Sequence, residues 1–165
     1  MRTVCGVSSP ISGGGIFMNA RHLDDGSVLY FDSQGVMQVH DFGRGVSLHV
    51  RRGIMTENFA KHVIEDGERH LRTSGRYVLM VDGSETKMHT TEFREVMTAW
   101  FREHETAIVH MLIKSRMLEM ALNVANLVLG NGRARAYFNA EVWESIGRQE
   151  VPSFIRRPLA PVTGS

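Results

Sequence analysis

The sequence predicts an α/β protein: a single mixed, mostly parallel sheet with antiparallel hairpins at one edge and about four helices. Three observations carry this. Arg76-Tyr77-Val78-Leu79-Met80-Val81 is a short apolar run rich in β-formers; Thr90-Thr91-Glu92 opens an amphipathic helix; and Ala107-Ile108-Val109-His110-Met111-Leu112-Ile113 is a second apolar run. Strand, helix and strand within about forty residues make a βαβ unit, with a parallel strand pair and a right-handed crossover. Short strands precede this unit and a helix–strand–helix alternation follows it, which places the hairpins at an edge and the helices on the sheet.

Residues 1–26 read as an irregular N-terminal arm. Val7 to Gly15 is rich in turn formers without periodicity, and Gly13-Gly14-Gly15 lacks the Gly-Lys-Ser/Thr of a phosphate loop, so a linker is the expectation. The domain is expected over 27–146. Val28-Leu29-Tyr30-Phe31, Val36–His40 and Val46–Arg51 are strands, separated by turns at Asp32-Ser33-Gln34-Gly35 and Asp41–Gly45. Val46, Leu48 and Val50 alternate with Ser47, His49 and Arg51, the pattern of a half-buried strand.

Thr56 is placed to cap the first helix and Gly75 to end it. Phe59, Val63, Ile64 and Leu71 share its apolar face, with His62 and His70 read onto the polar side. The strand from Tyr77 is expected to stop at the turn-forming Asp82-Gly83-Ser84. In the second helix Phe93, Val96, Met97, Trp100 and Phe101 make a core-facing stripe. The third helix, from Ser115 to Gly130, is apolar over most of its circumference; Arg116, Glu119, Asn123 and Asn126 form one narrow polar stripe. Such a helix is either deeply buried or docked against something else. A last strand at Arg135–Phe138 precedes a short helix over 140–146, capped by Asn139 and packed through Val142, Trp143 and Ile146. Residues 147–165 hold three of the four prolines and are expected as an extended, mildly basic tail.

Composition excludes several functional classes. At 165 residues and 18.6 kDa the chain suits one domain, and 19 basic against 18 acidic residues give +1, so nothing points to nucleic acid. The single Cys5 excludes an internal disulfide framework and a multi-cysteine metal site. No stretch reaches the roughly 20 apolar residues of a membrane span, and the N-terminus lacks a signal-peptide core, so a cytoplasmic protein is expected. None of the eight histidines forms a His-Glu-x-x-His pattern, so neither a metal nor a cofactor is expected.

With this order of elements the chain resembles the STAS superfamily, and within it the SpoIIAA-like branch of anti-sigma-factor antagonists. The likeness covers about residues 28–146. It rests on Tyr77 to Ser84, on the helix starting near Thr90-Thr91-Glu92-Phe93, on Ile108–Ile113 leading into Ser115-Arg116-Met117, and on Arg133 to Asn139 before a Trp-bearing helix. A flavodoxin-like receiver is the nearest competing fold; the early acidic pair and late lysine of that fold have no counterpart here. The resemblance implies a bacterial signalling module that docks reversibly to a protein partner without catalysis. In the family this docking is in some cases controlled by phosphorylation at the start of the helix after the central strand. That region here is Met88-His89-Thr90-Thr91-Glu92-Phe93, without the family's Asp and Gly, so Thr90 or Thr91 would be the acceptor.

The leading expectation is therefore a non-enzymatic STAS-like regulatory or scaffolding module. Its docking surface would combine Asp82, Ser84, His89, Thr90 and Thr91 with Leu118 and Leu122 of the third helix, the latter also a candidate homodimer contact. The alternatives are a carrier or sensor of an apolar small molecule and a self-associating structural subunit. Catalysis in a crevice beside Asp82, with Ser84, Glu85, Lys87, His89 and Ser115, ranks third. A docking module predicts no pocket beneath the third helix. A carrier predicts a closed apolar cavity on the order of several hundred Å³.

Overall fold

The computed structural model describes residues 17–130 and 132–162; Cys5, the triple glycine and most of the predicted arm lie outside them. The strands are β1 (Asn19–His22), β2 (Val28–Phe31), β3 (Gly35–Gly43), β4 (Val46–Met55), β5 (Tyr77–His89), β6 (Ala107–Leu112) and β7 (Ala134–Tyr137). The helices are α1 (Glu57–Ser74), α2 (Thr91–Glu103), α3 (Arg116–Leu129) and α4 (Ala140–Glu150). All seven strands form one sheet in sequence order. Strands β1 to β4 pair antiparallel, and β4 to β7 pair parallel. The mixed sheet with edge hairpins is the fold class the sequence predicts.

Each parallel neighbour is reached through a helix, and right-handed crossovers taken one after another put all three of these helices on one face. The core agrees. Phe59 and Val63 of α1, Phe93, Met97 and Phe101 of α2, and Leu118 of α3 pack with Tyr77, Leu79, Val81, Val109 and Met111 of the sheet. The opposite face carries Val46, Leu48, Val50, Val78, Met80 and Leu112, covered by Trp143 of α4 and by Val151 and Phe154 beyond it. Gly67 lets α1 approach α2, since a Cβ there would lie 2.5 Å from the Trp100 ring.

Five features differ from the sequence reading. Asp82-Gly83-Ser84 does not end its strand. The β4–β5 ladder slips there, from Val50↔Asp82 to Arg52↔Glu85, and β5 continues to His89; the turn formers make a bulge. The polar face of β4 is not solvated: Ser47, His49 and Arg51 are all buried under the helices. Residues 19–22 of the predicted arm form the edge strand β1, and α4 runs to Glu150. Residues 151–162 are irregular but packed, with Val151 and Phe154 buried. No helix among the described residues is long and apolar enough to cross a membrane.

Candidate functional site

Helix α3 is tethered at few points. Leu118 alone is buried, Leu122 and Leu129 rest partly on the core, and the Asn126 amide grips β7, donating to the Ala134 carbonyl and accepting from its N–H at 2.9 Å. That amide belongs to the narrow polar stripe of the helix, and its partner is the last strand of the sheet. Met117, Met120, Val124, Leu127 and Val128 are left exposed, Leu127 by 87%.

Between α2 and α3 lies a groove of about 610 Å³. Its floor is Leu79, Val109, Met111 and Ala134 of the sheet, and Phe93, Met97 and Phe101 face Leu122, Val124 and Val128 across it. The opening has a cause in the sequence: α3 turns Ala121 and Ala125 toward it, and small side chains cannot fill the space between two helices seated on one sheet. The lining runs from Phe93 to Arg102 on one helix and Met117 to Leu129 on the other, about 15 Å along the axes.

One part of this wall is polar and dry. Arg51 of β4 is 3% exposed, and among the described residues its Nε has no hydrogen-bond partner. Its guanidinium sits 5.5 Å from the centre of the Phe93 ring, and its Nη2 lies 3.5 Å from His49 Nδ1, at the long limit of a hydrogen bond. Burial lowers its pKa to about 10, so it stays charged at neutral pH. His89 stacks on the same Phe93 ring at 4.7 Å and is 7% exposed, and among the described residues its Nε2 has no partner. Burial, helped by the charges of Arg51 and Arg94, takes its pKa down to about 3, so it is neutral. Arg94, Glu95 and Arg102 complete the charged lining.

Behind Arg51 is a buried polar cluster under α1. Asp66 accepts from His49 Nε2 at 2.9 Å, from the Tyr77 hydroxyl at 2.8 Å and from Arg69 at 2.5 Å; Arg69 also reaches Asp41 at 2.6 Å. Burial alone would raise the Asp66 pKa, but the His49 bond and the neighbouring charges hold it well below the carboxylate range. Asp66 is therefore fully engaged before Arg51 could claim it. His70, read from the sequence as surface, is buried here, 3.6 Å from Asp66. The cluster was legible in principle: Asp66 and His70 continue the Phe59–Val63 stripe at spacings of three and four, opposite the polar positions of β4.

The site residues expected from the sequence fall into three places. Asp82 and Ser84 lie toward the α4 side of the sheet, where Asp82 accepts from the Ser84 hydroxyl at 2.6 Å and from Arg156 at 2.6 Å. Both carboxylate oxygens are thus occupied by a neighbour and by the tail. Thr90 caps α2, accepting from the Phe93 N–H at 3.2 Å, while the exposed Thr91 hydroxyl accepts from Arg94 at 3.2 Å. His89 and Leu122 line the groove; Leu118 is buried in the core. Sequence reasoning missed Arg51, because an arginine on an alternating strand reads as solvent-facing. Among the described residues no group of three or more His, Cys, Asp or Glu could hold a metal.

No family profile matches the chain, and no curated protein does. Among solved structures it is similar to an uncharacterized protein of the DUF3478 family with a SpoIIAA-like fold from Shewanella loihica PV-4. Identity is 16%, covering 86% of this chain and 98% of that one, with a TM-score of 0.47.

Proposed function

We propose that this chain is a binding module, not an enzyme, that takes an apolar small molecule between α2 and α3. The observation that supports this most is the groove itself. Its volume of about 610 Å³ falls within the roughly 300–1,000 Å³ of small-molecule sites, and its lining is apolar apart from a few placed polar groups. It opens to solvent between the helices, whereas the carrier expectation was a closed cavity.

A second reading, docking of a protein partner or a second copy, is favoured by the exposed row Met117, Met120, Val124, Leu127 and Val128. In that reading Thr91 is the accessible phosphate acceptor, at the N-terminus of α2 beside Arg94, where added negative charge is favoured.

The environment-sensitive probe N-phenyl-1-naphthylamine separates the two. Wild-type protein is expected to bind it with a saturable fluorescence rise. Ala125→Trp, which fills the groove, weakens binding at least tenfold, and Leu127→Arg, outside the lining, leaves it unchanged. Equal binding by Ala125→Trp, or loss in Leu127→Arg, would move the apolar site to the outer face of α3.

A further inference from the structure

We infer that the groove selects apolar molecules ending in a single carboxylate, with the Arg51 guanidinium as the partner of that carboxylate. This rests on the reading of the groove as a ligand site and adds the chemistry of the ligand's head. A buried arginine is costly unless its charge is balanced and its donors are used. Arg51 meets neither condition among the described residues: Nε is unpartnered, its one side-chain hydrogen bond is the long approach to a neutral histidine ring, and the carboxylate beyond that ring, Asp66, is already held by Arg69, His49 and Tyr77. Arg51 is one of the residues lining the groove, where an anion would supply an acceptor for its guanidinium, and the guanidinium fork matches the two oxygens of a carboxylate.

The single buried charge favours a head with one negative charge. Arg51 is the buried cation of the wall; Arg94 and Arg102 are exposed at the rim, where Glu95 offsets one of them. His89 is buried, uncharged and stacked on Phe93, so it contributes a ring nitrogen to the head and no second positive charge. Apart from Thr98 the rest of the wall is Leu, Val, Met, Phe and Ala, suited to an aliphatic or alicyclic body.

Competition against the bound naphthylamine probe tests this on the unmodified protein. Dodecanoate, 1-dodecanol and dodecyl phosphate share one tail and differ in the head. At pH 7.5 dodecanoate is expected to displace the probe at least tenfold more strongly than dodecanol and more strongly than the phosphate. Arg51→Gln should bring the dodecanoate-to-dodecanol ratio close to one. The comparison within wild-type protein stands even if Arg51→Gln folds poorly. Equal displacement by acid and alcohol overturns the inference and leaves the groove as a purely apolar site. Preference for the phosphate overturns the single-charge head. Failure of the probe and all three competitors to bind overturns the groove reading itself, as does a stable dimer whose dissociation is required for binding.

Discussion

Replacing Asp66 with alanine is expected to lower the unfolding free energy by about 3–5 kcal/mol, the cost of removing one partner from a buried, charge-bearing cluster. The substitution leaves the fully buried His49 ring and Tyr77 hydroxyl without this acceptor and frees one end of the half-exposed Arg69. The positive charge of Arg51 would also lose the nearest negative charge behind it. Urea denaturation of the wild type, Asp66→Ala and Asp66→Asn measures this. Asparagine keeps the volume and one acceptor, so its loss should be smaller, and a loss under about 1 kcal/mol for alanine would mean that the cluster is solvated. The same groups make stability depend on pH with a definite sign. His49, His70 and His89 have folded pKa values depressed below 6.5, so in acid the unfolded chain takes up protons first. Asp66, depressed below the ordinary carboxylate value, acts in the same direction at lower pH. Stability is therefore expected to fall as pH drops from about 6.5, and His89 alone contributes up to about 1.4 kcal/mol per pH unit down to about 3.

Phe154→Ala is expected to cost about 3–4 kcal/mol, as a buried aromatic removed from a packed core. Phe154 lies outside every helix and strand, yet it contacts the Phe42 ring at 5.1 Å and the Trp143 ring at 5.5 Å, and its ring occupies the space a Cβ on Gly147 would need. Arg156, two residues on, holds Asp82 at 2.6 Å. Together these contacts make the tail the lid of the second hydrophobic face. Loss of Phe154 should therefore also release amide protection across residues 151–162 in hydrogen exchange. A change below about 0.5 kcal/mol would instead describe a tail that rests on the sheet without supporting it.

The legible parts of this fold were those governed by periodicity. The alternation of Val46, Leu48 and Val50, the stripe of Phe93, Met97 and Trp100, and the caps at Thr90 and Asn139 all act through neighbours within a turn or a strand. What escaped depends on distant partners. Gly83 reads as a turn until the ladder with β4 shows a bulge. Arg51 and His49 read as solvated until α1 brings Asp66 over them. Phe154 sits among prolines, with no period to reveal that Trp143 and Phe42 await it. The apolar third helix was correctly unusual, but its composition could not tell an outward partner face from a groove. The decision lies in Ala121 and Ala125, whose small size matters only when α2 is opposite.

The most direct test of the central claim is native mass spectrometry of the purified protein, followed by denaturation and analysis of whatever is released. The account predicts a monomer carrying a substoichiometric adduct that denaturation frees as an apolar carboxylic acid, with the adduct lost in Ala125→Trp. A bare dimer that Val124→Arg dissociates without unfolding would contradict it and assign the face of α3 to self-association.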